Sequence, residues 1–187
     1  MNNTSRIILL SLLSLLFIGA CQIFPGWPKP PDEKIPVSET EAQTVLDTWE
    51  SVFSSDQTGL VSITLTEAQL TSAIDHYLSK QETPLMTEPQ VFLRDAKIDL
   101  YGKINQGLLS ANVRITLSAT IDENGKPELN IVDAEFGPLP MPESLLNVAS
   151  KLVDESVTGV IGPMITKFRA ETIEANNGLL IISGRKY

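Results

Sequence analysis

Hydrophobic and polar residues alternate with a period of two over much of the second half of the chain. The clearest alternation covers residues 109–121, where seven apolar residues are separated by six polar ones. This pattern predicts a strand about 40 Å long, at roughly 3.3 Å per residue, with one apolar and one solvated face. Because a sheet with a single covered face is typically antiparallel, we expect an antiparallel sheet.

Shorter strands are predicted on both sides of this long one. They cover residues 60–65, 91–93, 98–102, 127–136, 170–176 and 179–184. The alternation changes parity near Val132 and Asp133, which predicts a β-bulge that would curve the sheet. The tripeptide Asn176-Asn177-Gly178 predicts a tight hairpin turn between the last two strands.

Three segments carry apolar residues at helical spacing. Capping boxes that begin at Ser38 and Thr66 precede helices predicted over residues 38–55 and 67–80. A third and longer stripe predicts a helix from about residue 143 to residue 168. The predicted fold is therefore α+β: a long curved antiparallel sheet packed against a long C-terminal helix, with two amphipathic helices near the N-terminus.

The chain begins with a segment typical of a secretory signal peptide. A short polar start with Arg6 precedes an apolar run over residues 7–18, and two small residues lie directly before Cys21. A cysteine after such small residues resembles the lipobox of bacterial lipoproteins. The resemblance implies removal of residues 1–20, lipidation of Cys21, and anchoring to the outer face of the plasma membrane, or to the outer membrane if the cell has two. The alternative is a free thiol that follows an ordinary signal peptide.

A proline-rich segment follows the cysteine. Residues 22–37 contain five prolines, which predict an extended tether and not a helix. At roughly 3 Å per residue this tether would reach about 50 Å from the membrane. The chain is thus divided into a signal peptide (1–20), a lipidated cysteine with its tether (21–37), and a single α+β domain (38–187).

Composition narrows the classes of function. Cys21 is the only cysteine, so no disulfide can form within the chain. Removal of residues 1–20 takes away one of the 14 basic residues, Arg6, and none of the 23 acidic ones, so the net charge changes from −9 to −10. An acidic protein repels phosphate backbones, and we expect no binding to nucleic acid.

Catalytic chemistry has little support in the sequence. His76 is the only histidine, so the usual zinc ligand sets are missing, and the chain has neither a Gly-x-Ser-x-Gly motif nor a glycine-rich phosphate loop. Asp133 and Glu135 share one strand face and are better interpreted as solvated side chains than as a catalytic carboxylate pair. We therefore predict a protein that is not an enzyme and that uses no cofactor and no metal.

Four short motifs follow one another along residues 60–155. They are Val61-Ser-Ile-Thr-Leu-Thr-Glu-Ala-Gln-Leu70, His76-Tyr77-Leu78, Leu100-Tyr101-Gly102 and, after the long alternating strand, Gly137-Pro-Leu-Pro-Met-Pro142. In this order they resemble the YpmS-like proteins, which are membrane-anchored bacterial envelope proteins of undefined biochemical role. The chain departs from that pattern in its lipobox, where the family has a spanning helix, and in its extra helix over residues 38–55.

The layout also resembles lipid-binding proteins in which a long curved sheet wraps a long helix, and it implies a lipid or other amphiphile held between sheet and helix. The predicted lining consists of Val113, Ile115, Leu117, Leu152, Val153, Val157, Val160, Ile161 and Met164. The alternative is an envelope protein-interaction or scaffold module with a fully packed core. The expected partners are the membrane, through Cys21, and either a lipid or acyl-chain ligand or an envelope protein.

Overall fold

The computed structural model describes residues 28–31, 34–54, 58–84, 86–106, 109–137, 139–140, 146–147, 150 and 168–186. Within these residues the protein consists mostly of β-strands, which form two antiparallel sheets, together with two short helices. The predicted signal peptide and Cys21 lie outside the described residues.

The elements, in chain order, are α1 (Glu39–Ser54), β1 (Gly59–Thr66), α2 (Glu67–Ser79), β2 (Thr87–Arg94), β3 (Lys97–Gln106), β4 (Leu109–Ile121), β5 (Pro127–Phe136), β6 (Leu139–Pro140), β7 (Phe168–Asn176) and β8 (Leu179–Lys186). The smaller sheet has three strands in the order β1-β8-β7. The larger sheet has five strands in the order β2-β3-β4-β5-β6, so each strand pairs with its neighbour in the chain.

The predicted α+β fold with a long C-terminal helix is wrong. The described chain ends in the β7–β8 hairpin, and its two complete helices are the short ones near the N-terminus. Most of the residues predicted as the long helix lie outside the described residues, and Phe168, placed at its end, begins strand β7. The strands are also divided between two sheets, because β1 pairs with β8 and not with the strands that follow it.

Strand β4 occupies the residues that alternation predicted, 109–121, and pairs with β3 and β5. The predicted bulge in β5 is confirmed: Thr116 is opposite Asp133 and Leu117 is opposite Ile131, which leaves Val132 as the extra residue. Val132 is 52% exposed, as expected for a residue that has no partner opposite it.

The predicted turn between the last two strands is also confirmed. Asn177 and Gly178 both have positive φ, 53° and 77°, as a two-residue turn of type I′ requires. This turn contacts the rest of the domain, because the Gly178 amide donates to the Leu93 carbonyl at 3.0 Å and the Gly178 carbonyl accepts from the Glu67 amide at 3.2 Å.

One apolar core joins the two sheets. Its buried members come from both helices and from strands of both sheets, and include Val45, Trp49, Ile63, Leu65, Leu78, Leu93, Val113, Ile115, Phe168 and Ile182. Burial of apolar surface contributes roughly 25 cal/mol per Å². Apolar contact within this core therefore connects the two sheets.

Helix α2 covers the β2 edge of the larger sheet. The Val91 amide of edge strand β2 donates to Thr71 Oγ1 at 3.0 Å, and the Leu93 amide donates to Glu67 Oε1 at 2.7 Å. Residues four apart on a helix are separated by about 6 Å along its axis, and residues two apart on a strand by about 6.6 Å. Two acceptors on the helix thus match two donors of the strand, which leaves neither amide unpaired at the edge.

Substitution of Thr71 by valine tests this edge contact. Thr71 is fully buried, at 0% exposure, and valine keeps its shape but cannot accept the Val91 amide. We expect the free energy of unfolding to fall by about 1–3 kcal/mol, the usual penalty for an unsatisfied buried donor. Urea denaturation measures this change. Thr64→Val on the exposed side of β1 is the matched control. It should change the free energy of unfolding by less than about 0.5 kcal/mol. Equal effects of the two substitutions would contradict the hydrogen bond assigned to Thr71.

Candidate functional site

Within the described part of the chain, no group of three or more histidine, cysteine, aspartate or glutamate side chains is placed to hold a metal ion. None of the helices described is both long and apolar enough to cross a bilayer.

An apolar cavity of about 200 Å³ lies in the core between α1, α2 and the two sheets. Its described wall consists of Val45, Trp49, Leu65, Leu70, Ala73, Ile74, Tyr77, Val91, Ile98, Leu100, Leu117, Pro127, Leu129, Ile173, Leu180 and Ile182. This wall carries no charged side chain. We refer to this space as the core cavity.

Helical spacing explains how both helices contribute to the core cavity. Val45 and Trp49 are four residues apart on α1 and lie on one face. On α2 the wall residues Leu70, Ala73 and Tyr77 recur at intervals of three and four, so they too share a face. The capping box formed by Thr66 and Gln69 fixes the first turn of α2, where the Gln69 amide donates to Thr66 Oγ1 at 3.2 Å.

The strands provide the rest of the wall through their inward-facing residues. Of the predicted lining, Leu117 borders the core cavity. Val113 and Ile115 are buried in the same core but are absent from the described wall. The predicted helix residues Leu152, Val153, Val157, Val160, Ile161 and Met164 lie outside the described residues.

Sequence reasoning missed the contributions of α1, α2 and the smaller sheet to this wall. The apolar stripes of both helices are evident in the sequence, and in β8 the apolar residues Leu180 and Ile182 occupy alternate positions. What was missing was the pairing of β1 with β8, which brings these residues to the core cavity.

The volume of the core cavity limits what it can hold. An engineered apolar cavity of about 150 Å³ binds benzene, whereas pockets for drug-sized ligands usually have about 300–1,000 Å³. At about 200 Å³ the cavity has room for one ring or a short segment of an acyl chain. Because Tyr77 provides the only side-chain hydroxyl in its described wall, an apolar group suits it best.

A polar cluster occupies the solvent side of the larger sheet. Arg114 Nη2 donates to Asp133 Oδ2 at 2.8 Å and to Glu135 Oε1 at 2.9 Å. Arg114 also contacts the Tyr101 hydroxyl. One guanidinium thus holds both carboxylates in ion pairs.

Burial raises the pKa of Tyr101 above its ordinary value of 10.0, and the Asp99 carboxylate raises it further, although the hydrogen bond to Arg114 acts in the opposite direction. The folded protein therefore keeps the phenolic proton at a pH at which the unfolded chain has lost it. Since the unfolded chain then binds fewer protons, stability falls as the pH rises above about 10.

Substitution of Tyr101 by phenylalanine tests this pH dependence. The variant has no phenolic proton at this position, so its stability should fall less between pH 8 and pH 11 than that of the wild type. Urea unfolding at the two pH values measures both changes. If the two proteins lost the same stability over this interval, the raised pKa of Tyr101 would be ruled out as a cause.

No protein-family model matches the chain, and no curated protein is significantly similar to it. The resemblance to the YpmS-like proteins therefore stays a prediction. The core cavity and the pattern at Cys21 are the observations from which a function can be argued.

Proposed function

We propose that this protein is a membrane-anchored bacterial envelope lipoprotein that is not an enzyme and that binds an acyl chain or a similar apolar group in the core cavity. The ligand lies between the two sheets and the two helices. Cys21 carries the lipid anchor, which holds the binding domain near a bilayer.

The core cavity is the observation that carries this proposal. Protein interiors are close-packed and rarely contain voids much larger than a water molecule. The core cavity, at about 200 Å³, is far larger than such voids, and its described wall is almost entirely apolar. An apolar occupant would gain contact with this wall, which favours a ligand.

The anchor provides the second line of support. A lipobox-like pattern places a diacylglycerol on Cys21, and two acyl chains are enough for stable membrane attachment. A domain held at a bilayer is surrounded by molecules that carry acyl chains. The proposed location at a bilayer and the apolar wall of the core cavity therefore favour the same class of ligand.

A cavity-filling substitution at Ala73 tests the ligand site. Ala73 lies on α2 and borders the core cavity, so Ala73→Phe places a ring where the ligand would lie. We expect the affinity for cis-parinaric acid, a fluorescent fatty acid of which only a segment fits the core cavity, to fall at least tenfold. Fluorescence titration of the soluble mature chain measures the affinity, and mass spectrometry of copurified lipids gives an independent measure of occupancy.

Ala68→Phe is the matched control, because Ala68 lies on the same helix, is likewise half-buried, and does not border the core cavity. Its affinity for the fatty acid should equal that of the wild type.

Stability provides a second readout for Ala73→Phe. A ring that enters a real cavity should change the free energy of unfolding little, whereas overpacking a filled core costs about 1–3 kcal/mol. A wild type that binds no fatty acid, together with a strongly destabilised Ala73→Phe, would instead favour an interaction module with a packed core.

Substitution of Cys21 by serine tests the anchor. The variant cannot be lipidated, so we expect it to leave the membrane fraction of expressing cells while the domain over residues 38–187 stays folded. Membrane fractionation with immunoblotting measures the distribution, and circular dichroism of the released protein checks the fold. Retention of Cys21→Ser in the membrane at the wild-type level would refute lipidation as the means of attachment.

A further inference from the structure

The proline-rich segment contacts the domain before α1 begins. Pro28 is less than 2% exposed, and Ile35 is bound through both of its backbone groups. The Ile35 amide donates to Gln90 Oε1 at 2.7 Å, and the Ile35 carbonyl accepts from Gln90 Nε2 at 3.1 Å. The Ser38 amide donates to Ser72 Oγ at 3.0 Å. We refer to residues 28–31 and 34–38 as the strap.

The strap lies against buried side chains on the outer face of the larger sheet. Gln90, Phe92 and Tyr101 are only 4%, 2% and 7% exposed, although none of them belongs to the main apolar core. Side chains on the outer face of a sheet are buried only where another segment of the chain covers them. Pro28 and Pro30 border the same small hollow as Gln90 and Tyr101.

Two aromatic rings lie beside the strap. Phe92 and Tyr101 meet edge to face with their ring centres 5.7 Å apart, and the Arg94 guanidinium lies over the Phe92 ring at 5.4 Å. Pro31 borders a hollow that both rings also line. Aromatic side chains that receive prolines are the usual recognition mode for proline-rich peptides, which lose little entropy on binding.

Gln90 adds a specific polar contact with the strap. Its amide oxygen accepts from Ile35, and its amide nitrogen donates both to Ile35 and to the Pro89 carbonyl at 2.9 Å. A buried side-chain amide whose groups are all bonded is expensive to separate from its partners. The strap is therefore attached at a defined register.

We infer that the outer face of the larger sheet is an intramolecular docking groove for the proline-rich segment, and that the docked strap holds this face of the domain toward the bilayer. The inference rests on the proposed lipid anchor at Cys21. From Cys21 to Pro28 the chain has seven residue steps, or about 22 Å at 3.1 Å each. From Cys21 to Ser38 it has 17 steps, or about 53 Å. Docking of the strap thus reduces the predicted reach of about 50 Å by more than half.

Hydrogen exchange of the Ile35 amide tests the docking without a membrane. We use the mature chain, residues 21–187, with Cys21→Ser, and compare it with the same chain that also carries Gln90→Ala. We expect the Ile35 amide to exchange at least tenfold faster in Gln90→Ala, while the β4 amide of Ile115 exchanges at the same rate. Gln43→Ala is the matched control, since Gln43 is an exposed glutamine on α1 whose side chain donates to Asp47 at 2.9 Å.

The exchange rate of the Ile35 amide in the wild type is by itself enough to show whether the strap is docked. If its Ile35 amide exchanged as fast as in an unstructured peptide, the strap would not be docked and the inference would be overturned, whatever Gln90→Ala did to the fold. Protection that rose with protein concentration would also overturn it, because the strap would then bind a second copy of the chain.

Energy transfer to a labelled bilayer tests the orientation. Lipidation uses the only native cysteine, so a cysteine introduced at Lys103, beside the strap, or at Glu174, on the exposed side of β7, can be labelled alone. On phosphatidylcholine vesicles with an acceptor headgroup, we expect more transfer from position 103 than from position 174. Pro28→Glu should reduce the difference in energy transfer between positions 103 and 174, because a glutamate cannot be buried there without a large penalty. Pro36→Glu is the control at an exposed proline of the strap, and it should preserve this difference.

These outcomes separate the inference from the proposed function. Equal transfer from the two positions in the wild type would overturn the orientation while the anchor stands. Lipidated protein that did not bind vesicles would overturn both the anchor and the orientation, and the exchange of Ile35 would still report whether the strap is docked.

Discussion

The architecture depends on the hydrogen bonds between α2 and the edge of β2. Thr71 and Glu67 accept the amides of Val91 and Leu93, and α2 follows directly after β1, a strand of the smaller sheet. One helix therefore ties the edge of the larger sheet to the smaller sheet. The same helix holds the start of α1 through Ser72. These polar contacts act together with the apolar core, which also joins the two sheets.

The same arrangement explains why an apolar space can persist in the core. The polar face of α2 is fixed to the edge strand by buried hydrogen bonds, and its apolar face, with Leu70, Ala73, Ile74 and Tyr77, forms one wall of the core cavity. The helix cannot move inward to fill the space without leaving buried amides unsatisfied, which would cost about 1–3 kcal/mol for each amide. Polar contacts on one side of the helix thus hold its apolar side at the wall of the core cavity.

The features that the sequence predicted correctly are those with a local physical cause. Alternation over 109–121 and the change of parity at Val132 follow from the two-residue repeat of a strand, and the turn at Asn177 follows from the need for positive φ. The division into two sheets depends on the pairing of β1 with β8, which no local pattern encodes. The position of the strap was missed for the same reason, since Gln90 is 55 residues away from Ile35. The wall of the core cavity combines these distant segments, so only Leu117 was found in advance.

The position of β8 in the smaller sheet has a consequence for how the domain forms. It is the central strand, paired with β1 on one side and β7 on the other, and its contact with β1 joins Thr66 to Leu179, more than 110 residues later. A chain that emerges from a ribosome or a translocation channel with its N-terminus first must keep β1 unpaired until β8 has also emerged. The apolar side of β1 therefore stays unpaired until the last strand of the described chain has emerged.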